Sequence, residues 1–240
     1  MSTFAELGAL FPLFEAPVED ACDFVGAARC SLCEREAAVC FELGIGCAVM
    51  RECRTCGTLN GLDASDAEAV DCRACQQAIL FPDLPGQIIT CYSCLRQGRA
   101  AITQDTELGM VSWDQALEGV THGVPGLTTS DFELVPKDSD WVGARLPEGV
   151  MFELIRTPTY LTIQGERWLF CCKAPMVFLG SWSRDRFTRE APDGNGRSYF
   201  ERIVADAVPG LWEDQLHDTT GVYVFRCPSC KRLRGHWDIA

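Results

Sequence analysis

Residues 30–94 read CSLCEREAAVCFELGIGCAVMRECRTCGTLNGLDASDAEAVDCRACQQAILFPDLPGQIITCYSC and hold ten of the fifteen cysteines of the chain. Eight of the ten form four C-x-x-C pairs, separated by gaps of 19, 15 and 15 residues. One such pair can place two thiolates on a tetrahedral ion, and two pairs complete a closed four-sulfur shell. This spacing is typical of zinc ribbons and predicts two structural metal sites. The predicted ligands are Cys30, Cys33, Cys53, Cys56, Cys72, Cys75, Cys91 and Cys94.

The spacing leaves open which pairs share an ion. Sequential pairing joins the first pair to the second, nested pairing joins the first to the fourth, and crossed pairing joins the first to the third. Iron–sulfur clusters also use four cysteines, but zinc is the commoner occupant of ribbon-like pairs. A redox motif would need a surrounding βαβ pattern, and a disulfide framework would need an oxidising compartment.

A fifth C-x-x-C pair, Cys227 and Cys230, lies near the end of the chain. The adjacent Cys171 and Cys172 follow a predicted strand, as the fifth pair does, so these four thiols are a candidate third site if the strands are neighbours. The alternative is that the double cysteine is buried in the core. His236 is a reserve ligand, but we favour a structural or surface role for its side chain. The sequence thus predicts two to three zinc ions.

The remaining pattern predicts an α+β protein. A zinc-ribbon-like, cysteine-rich region over residues 1–100 contains an inserted zinc knuckle around 47–80, and a mixed, β-rich α+β domain with the further metal site spans 101–240. Within these two regions, hydrophobic periodicity and the content of β-branched residues predict individual helices and strands. The predicted helices are Thr3–Leu10, Trp113–Glu118 and Ser198–Trp212, and the predicted strands are Val150–Arg156, Tyr160–Gln164, Glu166–Phe170, Pro175–Trp182 and Gly221–Phe225.

The chain is strongly acidic, with a formal net charge of −13. Each zinc in a four-cysteine site replaces four protons with a doubly charged ion, so three sites would bring the charge to about −19. Such a surface repels nucleic acid and anionic lipid and attracts cationic partners. The first fifteen residues lack the basic start of a signal peptide, and no apolar run is long enough for a membrane span. We therefore expect a cytoplasmic protein with reduced thiols and no membrane partner.

Several segments resemble the CbrC family. The resemblance is carried by Phe11–Phe14, the pair Cys30/Cys33, CYSCLRQGRA (91–100), RTPTYLTIQGERWLFCCKAPMVFLG (156–180) and YVFRCPSCKRLRGHWDIA (223–240). Short members of that family lack the 53–75 stretch but keep a first and a last pair, which implies nested pairing here. Some members carry a further cysteine after the double cysteine, where this chain has Lys173–Met176. The family includes a protein linked to tolerance of a DNase colicin, and relatives occur beside secreted bacterial toxins.

The resemblance and the charge together favour a binding function. We expect a zinc-binding immunity protein that neutralises a secreted toxin, in particular a basic nuclease, because an acidic inhibitor is steered onto a phosphate-binding face. Between Asp105 and Asp140 there are eight Asp or Glu residues and one Lys. This stretch is the candidate binding surface, with Trp113, Phe132 and Trp141 as candidate aromatic anchors.

Two other functions are less favoured. A catalytic zinc site keeps an open position and commonly uses histidine, but the chain has only His122, His217 and His236 and no HExxH motif. His217 and Asp218 are the one pair of neighbouring residues that suggests catalysis, and such a pair is more typical of a turn. We therefore expect no enzyme activity. A zinc-ribbon nucleic-acid or regulatory binding protein is the alternative function. Its basis is the single compact basic cluster, Lys231, Arg232 and Arg234, but the charge of the whole chain makes nucleic-acid binding unlikely.

Overall fold

The structure is a computed structural model, and it describes residues 2–64, 70–79, 87–214 and 220–239. Within these residues it is an α+β protein built from short antiparallel sheets. The strands are β1 (Phe24–Arg29), β2 (Glu36–Leu43), β3 (Ala48–Glu52), β4 (Leu59–Asp63), β5 (Val70–Asp71), β6 (Ala78–Ile79), β7 (Ile88–Cys91), β8 (Ala100–Ala101), β9 (Val124–Pro125), β10 (Leu134–Pro136), β11 (Trp141–Ala144), β12 (Phe170–Cys171), β13 (Ala174–Pro175), β14 (Val177–Ser181), β15 (Thr220–Arg226) and β16 (Leu233–Ile239). The helices are α1 (Tyr92–Arg96), α2 (Trp113–Glu118), α3 (Glu148–Leu154), α4 (Arg184–Glu190), α5 (Gly196–Ile203) and α6 (Leu211–Asp214), and a 3₁₀ turn covers Val18–Asp20.

The cysteine pairs lie at the ends and turns of these sheets. The sheet order is β1-β2-β7 and β4-β3-β8 in the first half, with the ribbon β5-β6 beside them. In the second half the orders are β10-β11-β9, β12-β13 and β14-β15-β16. Strand β7 runs directly into α1, and β15 and β16 are joined by the turn that carries Cys227 and Cys230. Sheet pairing therefore brings cysteines that are distant in sequence to neighbouring strand ends.

The largest core cluster draws on residues from both sides of residue 100. Phe4 packs edge-on against Phe11 and Phe14, and Phe14 lies 5.2 Å from Phe178, a residue of β14. Phe178 in turn stacks on Tyr160, with 4.4 Å between the ring centroids. Aromatic pairs of this kind add to the burial of apolar surface. The boundary predicted near residue 100 is crossed by this cluster, and the division into two domains stays a prediction.

Two smaller clusters lie apart from the main core. One packs Phe187 of α4 and Phe200 of α5 against β14 and β15. The other contains only Cys53, Leu62, Cys72 and Ile79, with Cys75 half-buried against it. The described residues between 53 and 79 (53–64 and 70–79) thus bury very little apolar surface of their own to hold them folded.

The predicted helix Trp113–Glu118 and the predicted strand Gly221–Phe225 are found as α2 and within β15. The predicted strand Val150–Arg156 is wrong, because this segment forms α3, which buries Met151 and Leu154 at helical spacing. The predicted helix Thr3–Leu10 is also wrong. It is a series of turns, closed by the Ala9 amide donating to the Phe4 carbonyl at 2.8 Å.

Candidate metal centres

The twelve cysteines predicted as ligands form three groups of four, and within each group all sulfur atoms lie within 4.8 Å of one another. The grouping is nested: the first C-x-x-C pair lies with the fourth, and the second with the third. We call the groups the N-terminal tetrad (Cys30, Cys33, Cys91, Cys94), the insert tetrad (Cys53, Cys56, Cys72, Cys75) and the C-terminal tetrad (Cys171, Cys172, Cys227, Cys230).

Four of the five C-x-x-C pairs form the same turn, which we call the knuckle. In the knuckle that begins at Cys53, the Cys53 amide donates to the Thr58 carbonyl at 2.9 Å, and the Gly57 amide donates back to the Cys53 carbonyl at 2.8 Å. The residue four places after the first cysteine has a positive φ in every knuckle. These residues are Glu34 (61°), Gly57 (74°), Gln76 (59°) and Lys231 (63°). Three of them bear a side chain in a region that favours glycine, so the geometry of the knuckle overrides local preference.

The fourth pair is held by a helix instead of a knuckle. Cys91 ends β7 and is the N-cap residue of α1, whose second turn starts after Cys94. The Cys91 amide donates to the Cys30 sulfur at 3.3 Å, which ties the two halves of the N-terminal tetrad together. The sulfur of Cys94 accepts from Arg99 at 3.5 Å.

The double cysteine is placed by a tight hairpin. Strands β12 and β13 are joined by the two residues Cys172 and Lys173, which have φ values of 53° and 62°. Positive φ at both central residues is the signature of a type I′ turn. The sulfurs of Cys171 and Cys172 lie 3.8 Å apart, and Cys171 lies 3.7 Å from Cys230. Adjacent cysteines can therefore face one centre here.

The sulfur separations fit a single four-coordinate ion. Zinc–sulfur bonds of ~2.3 Å in a tetrahedron give sulfur–sulfur edges of ~3.8 Å. The closest sulfur pairs across the N-terminal tetrad are 3.8 and 3.9 Å apart, and those across the insert tetrad are both 3.6 Å apart. All fifteen cysteines are free thiols. The sulfur–sulfur distances within the tetrads are well beyond the ~2.05 Å of a disulfide bond.

Backbone amides that donate hydrogen bonds to the sulfurs lower the pKa of particular thiols and so favour metal binding. The amides of Cys75 and Ala74 donate to the Cys72 sulfur and lower the pKa of that thiol to about 6. Cys75 receives the Gln77 amide, yet burial and the neighbouring cysteines raise the pKa of its thiol to about 12. In the C-terminal tetrad burial opposes ionisation of Cys227, but the amides of Cys230 and Ser229 lower its pKa to about 6. One thiolate therefore forms readily in each of these two groups, and a divalent cation would displace the remaining protons.

The three groups differ in their exposure. Three of the four cysteines of the N-terminal tetrad are buried, whereas Cys56 of the insert tetrad is exposed. In the C-terminal tetrad only Cys227 is buried. Of the three cysteines outside the tetrads, Cys40 and Cys47 are buried and Cys22 is exposed.

Two side chains beside the sulfurs escaped the sequence analysis. Asn60 is buried at 4% exposure between the two knuckles of the insert, where its Nδ2 donates to the Thr58 carbonyl at 2.7 Å and lies 3.7 Å from the Cys72 sulfur. Its Oδ1 accepts from the Arg73 amide at 3.0 Å. The other is Arg99, which donates to Cys94 and to the Leu32 carbonyl. A polar residue a few places from a C-x-x-C pair is the only signal that could have found them.

His236 does not join a tetrad. It is buried, and its Nε2 hydrogen-bonds the Tyr160 hydroxyl at 2.8 Å. Its role as a reserve ligand is wrong for this arrangement. The pair His217 and Asp218 lies outside the described residues. None of the helices among the described residues is long and apolar enough to cross a bilayer.

Comparison with known proteins gives a family and no closer relative. No curated protein matches the sequence, and no solved structure matches it. A family model matches over residues 51–239, which include the insert tetrad, the C-terminal tetrad and the second half of the N-terminal tetrad. Because this match covers most of the chain, the protein belongs to the Uncharacterised protein family UPF0167.

Proposed function

We propose that each tetrad holds one zinc ion and that the ions are structural. Four thiolates fill a tetrahedral shell and leave no position for water or substrate, as in structural rather than catalytic zinc sites. The mutual sulfur distances below 4.8 Å support a single ion. An iron–sulfur cluster spreads its cysteines over several irons around an inorganic core, which needs more room between the sulfurs. Reduced thiols of this kind fit the cytoplasm.

We further propose that the protein neutralises a secreted, basic toxin, in particular a nuclease. The observation that carries this proposal is an exposed tryptophan beside carboxylates, which we call the acidic face (Asp138, Asp140 and Trp141). Trp141 begins β11 and is 39% exposed, and Asp138 and Asp140 lie in the exposed turn before it. Exposed aromatic anchors surrounded by charge are typical of binding surfaces with hot spots.

The charges of the acidic face are available to a partner. Glu118 and Glu133 nearby are engaged by Lys137 and Arg145, at 3.6 and 3.1 Å. The two aspartates of the face, Asp138 and Asp140, make no ion pair within the described part of the chain. Uncompensated carboxylates on a chain of net charge −13 attract a basic protein over long distances.

Of the three candidate aromatic anchors, Trp141 is the one whose side chain remains available to a partner. Trp113 is buried and packs edge-on against Phe152, and half-buried Phe132 packs against Phe170. Both are therefore occupied within the fold. Trp141 contacts the His122 ring at 5.3 Å and keeps the rest of its surface exposed. The resemblance of residues 156–180 and 223–240 to the CbrC family, with its links to colicin tolerance, is the second support for the immunity role.

The test pairs the protein with a secreted nuclease encoded beside its gene. Co-expression should restore growth to cells that make the nuclease, and the purified proteins should bind with nanomolar Kd. The double variant Asp138→Asn/Asp140→Asn should slow association about tenfold at low salt, because it removes steering charge. Glu190→Gln, an exposed carboxylate on α4, is the matched control and should leave the rate unchanged. Nuclease activity unaffected by a molar excess of the protein would refute the role.

A further inference from the structure

A cleft of about 730 Å³ lies between α5, β16 and the turn that follows Cys230. Five basic side chains line it against two carboxylates. The basic residues are Arg167, Arg202, Lys231, Arg232 and Arg234, and the carboxylates are Glu107 and Asp206. The whole chain has 34 acidic and 21 basic residues, so the charge of the cleft is opposite to that of the molecule. Like charges gathered around one concavity repel each other unless an anion lies between them.

Most of these charges lack a partner in the protein. Arg234 is paired with Glu107, with 2.9 Å between Nη2 and Oε2. The guanidinium of Arg202 lies over the Tyr199 ring at 5.0 Å. Arg167, Arg202 and Arg232 make no ion pair with any residue that the structure describes. Three guanidinium groups from three separate segments therefore remain free to bind one ligand.

The need to balance the negative charge of the thiolates in the C-terminal tetrad does not account for all five basic side chains of the cleft. Lys231 and Arg232 follow Cys230 directly and can offset the negative charge of its thiolates. Arg202 belongs to α5, and Arg167 precedes the buried Trp168, so neither belongs to the turns that hold the sulfurs. Arg167 acts at the other end of the cleft, where burial first and then this guanidinium lower the pKa of His236 to about 4.

We propose that this cleft binds a small phosphorylated anion of nucleotide size. Guanidinium groups match phosphate oxygens in a bidentate geometry, which favours phosphate over a single compact charge. The volume falls in the ~300–1,000 Å³ range of small-molecule sites. Tyr199, Ile203 and Leu233 supply a partly apolar wall for the part of the ligand that carries no phosphate. A long nucleic acid is disfavoured because the chain as a whole carries a net charge of −13.

Calorimetric titration of the metal-loaded protein with pyrophosphate and with ADP tests the proposal. Both should bind, ADP more tightly because it also reaches the apolar wall. Arg202→Ala and Arg232→Ala should each raise the Kd about tenfold, the loss of one charge-assisted contact. Arg189→Ala removes the same charge from an exposed site on α4 outside the cleft and should leave the Kd unchanged. If Arg232→Ala also loses metal, Arg202→Ala still decides the outcome, because α5 carries none of the tetrad cysteines.

Three results would overturn the proposal. The first is no heat from either probe up to about 1 mM, the weakest affinity of interest. The second is an equal loss of binding in Arg189→Ala, which would indicate general charge attraction. The third is tighter binding of a single-stranded oligonucleotide than of ADP with the same arginine dependence, which would make the cleft part of a nucleic-acid surface. None of these measurements involves a toxin, so they are independent of the immunity role.

Discussion

The N-terminal tetrad and the insert tetrad have the same four thiols in two C-x-x-C pairs, but their surroundings differ. Cys30, Cys91 and Cys94 belong to the largest core cluster, which also holds the aromatic side chains of both halves of the chain. The insert tetrad belongs to a cluster of four buried residues, two of which are its own cysteines. The comparison indicates that an ion in the first site adds to a core, whereas in the second it largely replaces one.

The loops closed by the two sites also differ. The N-terminal tetrad joins residues 30 and 94, and the insert tetrad lies inside that loop and joins residues 53 and 75. Closing the longer loop removes more entropy from the unfolded chain, although the dependence on length is slow. Burial is therefore the larger reason to expect a stronger global effect from the N-terminal tetrad.

The largest effect is expected from Cys30→Ser. Cys30 is fully buried and its sulfur accepts the Cys91 amide, so the variant loses an ion and leaves a buried polar mismatch in the main core. We expect a loss of at least ~3 kcal/mol, or about 10 °C in Tm for a chain of this size. Thermal unfolding followed by circular dichroism measures it. An unchanged Tm would show that nested pairing does not hold in solution.

Cys53→Ser should have a large local effect and a small global one. We expect the loss of one metal equivalent and of amide protection in β3, β4 and the knuckles of the insert, with a Tm change of less than ~4 °C. Hydrogen exchange with mass spectrometry and metal analysis measure both. Cys22→Ser is the control, because Cys22 is an exposed cysteine outside every tetrad. A wild-type metal content in Cys53→Ser would contradict the assignment of Cys53 as a metal ligand. Unfolding of the whole protein would contradict the prediction that the insert unfolds separately from the main core.

A pH titration should separate the main core from the insert. Burial lowers the pKa of His236 in the β14–β16 region to about 4, below the ~6.5 of an unfolded chain. The unfolded state therefore binds a proton that the folded state does not, and stability is lost as pH falls from 6.5 toward 4. Between pH 6.5 and 5.5 this amounts to about 1 kcal/mol.

Urea unfolding at the two pH values measures this loss, and His236→Gln should reduce it. The variant keeps a group that can bond the Tyr160 hydroxyl but does not titrate in this range. Insert amides should keep their protection over the same interval. A loss of stability of equal size in the variant would show that another group carries the pH dependence.

The smallest effect is expected from Asn60→Ala. This side chain links the two knuckles through the Thr58 carbonyl and the Arg73 amide, so its removal should cost about 1–2 kcal/mol within the insert and speed metal release to a chelator. Asn195→Ala is the matched control, since it removes an asparagine that accepts the Ser198 amide at the start of α5. That control should lower Tm without changing the release rate. Equal release rates in the two variants would exclude a role for Asn60 in holding the insert.

The sequence predicted the features that depend on local spacing. C-x-x-C pairs identified ten of the twelve tetrad cysteines because two ligands three residues apart form one turn, and Trp113–Glu118 was predicted as a helix at the bounds found. Val150–Arg156 was misassigned because Phe152, Glu153 and Leu154 alternate between apolar and polar, although the buried Met151 and Leu154 fit a helical spacing and not an alternating one. Their spacing of three residues, directly after Pro147, was the signal that was passed over.

Features made by distant residues were beyond sequence reasoning. The cleft gathers Arg167, Arg202 and Arg232 from segments that meet only through the packing of α5 on β16, and nothing in their spacing indicates a shared site. The hairpin that turns Cys171 and Cys172 toward one centre likewise depends on positive φ at two non-glycine residues. The choice of nested pairing came from family resemblance and not from spacing.

The central claim is that this chain holds three structural ions, one in each tetrad, and the metal-to-sulfur ratio of the purified protein tests it most directly. The fifteen cysteines and five methionines give twenty sulfur atoms per chain, so elemental analysis needs no separate protein concentration. The account predicts three zinc atoms per twenty sulfur atoms, falling to two per nineteen in Cys53→Ser, which has one cysteine fewer. The account would be contradicted if the protein without metal had the same Tm as the protein with metal, or if its cysteines were joined as disulfides.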